Sequence, residues 1–99
     1  MKTYYSEYIQ HCMRYYLSTS EYPFEFRHTS ERLAWLACDK ALKSFSKPDQ
    51  MLIRKLFRGR DGVMRNVEKI SGHDRVSKQY LMSLVNRFEK QAASARGLI

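Results

Sequence analysis

Apolar residues recur at three- and four-residue steps along most of this chain, and this spacing is the strongest constraint on its fold. Near the N-terminus the steps run through Tyr5, Ile9, Cys12, Met13 and Tyr16. The spacing is that of an amphipathic helix, whereas a half-buried strand would alternate every second residue. A short strand would fit only at Phe24 to Phe26. We therefore expect an all-α fold, a compact bundle of about five helices.

Capping and helix-breaking residues set the expected boundaries of these helices. The predicted spans are Tyr4–Leu17, Thr29 or Ser30 to Phe45, about Pro48 to Arg58, a fourth helix from Val63 to near Ser71, and Ser77 to about Ala95. A turn is expected at Ser71 to Asp74. The second helix has a wide apolar stripe that includes Leu33, Trp35 and Leu36, so we expect it to be the central helix.

The length of 99 residues allows one domain with a single core and is too short for two. We expect residues 1–99 to form that domain, with an N-terminal helical part at 1–46 and a second part at 47–96. The second part is the more basic. Residues 48–99 carry 11 Lys or Arg against 5 Asp or Glu, whereas residues 1–47 carry 7 against 5.

The net charge of +8 predicts attraction to polyanions, either nucleic acid or an anionic membrane surface. A merely solvated basic surface is the alternative, but it would not concentrate the charge in one half of the chain. A peripheral membrane protein would need an exposed apolar face opposite the basic one. The apolar face of the last helix is expected in the core, so a membrane partner is not expected.

Several other classes of protein lack support in the sequence. Cys12 and Cys38 lack zinc-site spacing, and His11, His28 and His73 show no mutual ligand spacing, so we expect no metal or other cofactor. The absence of a phosphate loop, a nucleophile elbow and paired carboxylates argues against an enzyme. No apolar run approaches the roughly 18 residues of a membrane span, and none suggests export. We expect reduced, buried cysteines and a cytoplasmic location.

Residues 67–88 are typical of two short helices joined by a turn, with the second helix polar and basic outside. Helix-turn-helix readers of DNA have this pattern. Ser77 is expected to cap the amides of the second helix, and Val76 to pack on Leu81.

The polar face of the last helix has side chains that suit base reading in the major groove. Amides pair with adenine, cations with guanine, and a hydroxyl with either. The expected base readers are Lys78, Gln79, Met82, Ser83 and Asn86. The expected phosphate contacts are Arg54, Lys55, Arg58, Arg60, Arg65, Arg75, Arg87 and Lys90. The alternative is the solvated face of an ordinary amphipathic helix.

Residues 47–53 and 76–85 together resemble the promoter-reading C-terminal domain of bacterial sigma factors. The chain also resembles small sigma-like regulators encoded in prophages, which share a central helix like residues 35–42 and a basic ending like residues 95–99. In that family the residues after the capping serine enter the major groove, so the resemblance implies a DNA-reading role for Lys78, Gln79, Met82 and Ser83. The family usually has a glycine two residues before that serine, whereas Gly72 precedes Ser77 by five, which implies a different interhelical angle.

The N-terminal part is rich in tyrosine, with Tyr4, Tyr8 and Tyr15 as the candidates for a protein interface. Tyrosine suits surfaces where one edge is apolar and the other wet, and a DNA-binding dimer would need such a surface. Core packing is the alternative, as is stacking on unpaired bases.

The sequence therefore predicts a sequence-specific regulator that binds double-stranded DNA, of phage or mobile-element origin. The alternative is a small phage-type accessory protein that uses the helix-turn-helix as a scaffold. It would bind a host complex, such as RNA polymerase or a nucleic-acid-guided defence nuclease.

Overall fold

Five α-helices form the regular structure of the described residues, and no strand occurs among them. The computed structural model describes residues 4–19, 29–59 and 61–99. The helices are α1 (Ser6–Leu17), α2 (Thr29–Lys43), α3 (Lys47–Phe57), α4 (Val63–Asp74) and α5 (Lys78–Arg96). The predicted all-α class and number of helices are confirmed for these ranges. The strand considered at Phe24 to Phe26 lies outside the described residues, as does Arg60.

The hydrophobic core forms around α5, which packs against each of the other four helices. Leu81, Leu84 and Phe88 on α5 are fully buried, as are Ala92 and Ala93 about one turn further on. The Phe88 ring contacts the Phe57 ring of α3, with centroids 5.2 Å apart. Because α1 and α2 cover the same helix as α3 and α4, all five helices contribute to one core.

The expectation that α2 is the central helix is wrong. Trp35, Cys38 and Leu42 of α2 are buried, but Leu33 and Leu36 remain 45% and 36% exposed. The reason is that α2 packs against α1, α3 and α5, which cover only one side of it among the described residues. The wide apolar stripe thus includes two leucines that face solvent.

The expected turn at Ser71 to Asp74 is also wrong, because α4 continues through Gly72 to Asp74. The helix ends at Arg75, whose left-handed backbone (φ 55°) supplies the C-terminal conformation that glycine usually provides. Only residues 75–77 connect α4 to α5. As predicted, Ser77 caps α5, since its side-chain oxygen accepts a hydrogen bond from the Tyr80 amide at 3.1 Å. Val76 is half-buried against the core.

Asn66 fixes the connection between α3 and α4. Its side-chain amide is buried and donates hydrogen bonds to the carbonyls of Leu56 at 2.7 Å and Arg58 at 2.9 Å. These carbonyls belong to the end of α3, where the helix provides no partner. This buried side chain therefore ties the end of α3 to α4, in addition to the apolar packing between the two helices.

Replacing Gly72 with Ala is expected to raise the free energy of unfolding by about 0.5–1 kcal/mol, because glycine is costly inside a helix. An added Cβ at Gly72 would meet nothing within 4 Å. Chemical denaturation would measure the change. Gly62→Ala is the matched control: it also meets no atom, but φ is +90° there, so it should destabilise. Loss of stability in Gly72→Ala would contradict the continuous helix.

Candidate nucleic-acid interface

One side of α5 faces solvent from its first turn almost to its last. A helix of 19 residues is about 28 Å long. The exposed polar and cationic side chains along it are Lys78, Gln79, Ser83, Asn86, Arg87 and Lys90. We call these six residues the α5 face. Four of the five predicted base readers lie on it, in its first three turns.

The α5 face contains no carboxylate. The one acidic residue of α5, Glu89, is 5% exposed and turns toward α1. There its carboxylate accepts hydrogen bonds from the Ser6 hydroxyl at 2.8 Å and the Gln10 amide at 3.0 Å. The face therefore presents only cations, amides and a hydroxyl, which are the groups that contact phosphates and base edges.

Met82, the fifth predicted base reader, lies differently from the other four. Its side chain is half-buried and packs against the hydrophobic core. Only its outer part is available for an apolar contact.

The first turns of α5 are attached to the start of α3. The Tyr80 hydroxyl donates a short hydrogen bond to the Asp49 carboxylate, which raises the pKa of Tyr80 above its usual value. Further along, the Arg87 guanidinium lies over the Phe45 ring, 5.5 Å from its centroid. These contacts fix the α5 face relative to the α2–α3 connection before any ligand binds.

The predicted phosphate contacts of α3 are only partly free. Lys55 forms an ion pair with Asp74 at 3.3 Å. The Arg54 guanidinium lies over the Tyr16 ring of α1 at 5.9 Å, so this side chain extends toward α1. Arg58 is exposed and has no carboxylate partner among the described residues. Among the described residues, no hydrogen bond or ion pair joins these three cations to the α5 face.

The remaining predicted phosphate contacts near α4 are exposed. Arg75 occupies the connection to α5, directly before the α5 face. Arg65 lies on α4, and nearby Asp61 pairs with Lys69 at 2.6 Å. The hydrogen bond from Lys69 and its charge lower the pKa of Asp61, and the charge of Arg65 lowers it further. Asp61 is thus already neutralised by a neighbouring lysine.

A groove of about 780 Å³ lies between α2 and the C-terminal half of α5. Lys40, Ser44, Arg87, Lys90, Gln91 and Ser94 line it together with apolar residues. Arg87 and Lys90 are among the phosphate contacts expected from the sequence, whereas Lys40 and Ser44 are not. The sequence gives only a weak indication that Lys40 contacts a ligand. A lysine in the last turns of a helix is common because it stabilises the negative end of the helix dipole.

The three predicted interface tyrosines belong to the N-terminal part of the chain, at or just before α1. Tyr4 and Tyr8 are exposed, and Tyr15 is half-buried against the core. The Tyr4 hydroxyl donates to the Leu98 carbonyl at 2.6 Å, and the Tyr8 hydroxyl accepts from Arg96 at 3.3 Å. The Tyr4 and Tyr8 hydroxyls thus tie the N-terminal part of the chain to its C-terminal end. A protein interface at these tyrosines stays a prediction.

Both cysteines are buried and unpaired, as expected. Burial raises the pKa of the Cys38 thiol to about 12, which keeps it protonated and weakly nucleophilic at neutral pH. In the described ranges, no group of three or more histidine, cysteine or acidic side chains is placed to hold a metal ion. None of the helices there is long and apolar enough to cross a membrane.

Comparison with known proteins finds no matching protein family, curated protein or solved structure. The chemistry of the α5 face is therefore the basis for assigning a function.

Proposed function

We propose that the protein binds double-stranded DNA sequence-specifically through the α5 face and regulates transcription from a phage or other mobile element. One observation carries the proposal: the solvent side of α5 has cations, amides and a hydroxyl but no carboxylate, because Glu89 is buried against α1. A carboxylate among the exposed residues of α5 would repel phosphates.

The arrangement of α3, α4 and α5 supports a helix-turn-helix. These helices pack against one another in all three pairings, and residues 75–77 alone connect the last two. Helix-turn-helix motifs use turns of three or four residues. The resemblance of residues 47–53 and 76–85 to the promoter-reading domain of sigma factors agrees with this assignment. The short connection removes the reason to expect an unusual interhelical angle.

The proposed roles follow from position on α5. Residues in the first turns of a recognition helix read bases most often, which assigns base contacts to Lys78, Gln79 and Ser83. Asn86 lies two turns beyond Gln79 on the same side, where it can reach an adenine or a phosphate. Arg75 precedes the helix and contacts the sugar-phosphate backbone.

Selection from a pool of random DNA duplexes tests the proposal directly. The purified protein is expected to enrich one discrete sequence and to lose affinity steeply as salt rises, because phosphate contacts release counterions. An electrophoretic shift assay at low salt then compares the enriched duplex with a scrambled one. No retention of either duplex at low salt would refute DNA binding.

The accessory-protein alternative has one observation in its favour. Leu33 and Leu36 are exposed one turn apart on α2, where a partner protein could cover them. Under this alternative the protein would bind DNA weakly and without preference. It would instead co-purify with one host complex, and Leu33→Glu would abolish that association.

A further inference from the structure

Three cations line the groove between α2 and α5. Among the described residues, Lys40, Arg87 and Lys90 have no carboxylate within ion-pair distance. Other lysines are compensated: Lys43 of the same helix pairs with Asp39 at 2.9 Å, and Lys69 with Asp61. Cations that line one groove repel one another, and a bound anion would relieve this repulsion.

The polar groups of the groove suit a phosphate oxygen. The Ser44 hydroxyl lies within hydrogen-bond distance of two acceptors, the Ala41 carbonyl at 2.6 Å and Gln91 Oε1 at 2.9 Å. With Oε1 directed toward Ser44, the Gln91 NH₂ group remains as a donor. Ser94 adds a hydroxyl on the next turn of α5. Arg87 is held over Phe45, and a guanidinium with a fixed plane is well suited to contact phosphate.

The groove lies along α5 from the turns that are proposed to read bases. Along the axis of α5, Lys90 lies about 16 Å beyond Gln79. The major groove is about 12 Å wide. If Gln79 and Ser83 are at base edges, Lys90 therefore lies past the wall of the major groove, at the level of the phosphates.

We propose that α2 and α5 together form a phosphate clamp, in which Lys40, Arg87 and Lys90 hold the DNA backbone that flanks the bases read by the start of α5. The proposal rests on the proposed function and adds α2 to the DNA-binding surface. An alternative role for Lys40 is to compensate the negative C-terminal end of the α2 dipole. That role would affect stability and would leave DNA affinity unchanged.

Lys40→Gln and Lys90→Gln test the clamp against Lys43→Gln, the matched control on the same helix. Each test variant is expected to weaken binding of the selected and the scrambled duplex equally, by about fivefold to tenfold at 0.1 M salt. Each should also reduce the slope of log affinity against log salt by about 0.9. Lys43→Gln should change neither quantity, because Asp39 already pairs with Lys43. Thermal unfolding verifies that each variant is folded.

The outcomes separate this proposal from the proposed function. If the wild-type protein prefers one duplex but Lys40→Gln leaves the slope unchanged, the clamp is refuted and sequence-specific binding stands. If the wild-type protein retains no duplex, both proposals fail. An NMR titration with inorganic phosphate tests whether the groove binds free anions and not the DNA backbone. Shifts of the Gln91 and Ser94 amides, without any dependence of DNA binding on Lys40, would show a free-anion site and overturn the clamp.

Discussion

Replacing Phe88 with Ala is expected to lower the free energy of unfolding by about 3–5 kcal/mol, because the substitution leaves a large cavity in a buried position. Phe88 is fully buried on α5, at the point where this helix meets the Phe57 ring of α3. A domain of this size has a total stability of about 5–15 kcal/mol. The loss corresponds to a fall of at least about 12 °C in Tm, measurable by circular dichroism.

Leu33→Ala is the matched control for Phe88→Ala. Leu33 belongs to the apolar stripe of α2 but is 45% exposed, so its truncation should change stability by about 0.5 kcal/mol or less. If Phe88→Ala does not fold, Phe88→Leu provides the measurement with a smaller cavity. Equal losses in Leu33→Ala and Phe88→Leu would contradict the central position of α5.

The difference between α2 and α5 shows what apolar spacing can predict. The spacing correctly predicts the five helices of the described residues and the inner face of α5 at Leu81, Leu84 and Phe88. It identifies which side of a helix is apolar, but not how many neighbours surround that helix. The central helix α5 contains Glu89 and small residues such as Ala92, which narrow its apparent apolar stripe although they are buried. The stripe of α2 looks wider because it includes solvent-facing leucines.

The end of α4 differs from the expected position for a related reason. Glycine is a frequent helix terminator, so Gly72 indicated a turn. The buried Ile70 keeps the last turns of α4 on the core, and the cost of one helical glycine is only about 1 kcal/mol. Arg75 takes the left-handed conformation instead. An arginine has no intrinsic preference for that backbone, so the sequence contains no local signal for it.

The α5 face was predictable because it depends on helical spacing alone, whereas the α2–α5 groove was not. Gln79, Ser83 and Asn86 are exposed as expected from their positions on one side of α5. Lys40 and Lys90 are 50 positions apart, and their shared groove depends on how α2 packs against α5. A single sequence provides the period of each helix but not the pairing of two helices.

Replacing Gln79 with Ala is expected to reduce discrimination between the selected and the scrambled duplex by about 5- to 150-fold, since a bidentate amide–adenine pair contributes about 1–3 kcal/mol of discrimination. Gln79 is exposed in the first turn of α5, and its truncation removes no contact with the protein core. Affinity for the scrambled duplex, measured by fluorescence anisotropy, should remain unchanged. A uniform loss on both duplexes would show that Gln79 contacts phosphate and does not read bases.

Arg75→Gly tests whether the residue that precedes the α5 face contacts the DNA backbone. Glycine adopts φ 55° without the cost that a side chain incurs there, so the variant should gain about 1 kcal/mol of stability. Arg75 has no ion pair among the described residues, so no stabilising contact offsets the gain. If its guanidinium contacts the DNA backbone, affinity should fall equally on both duplexes, and the salt slope should decrease by about 0.9. A more stable protein that binds DNA less tightly would show that a strained arginine is retained at this position for binding. Unchanged affinity would remove Arg75 from the interface.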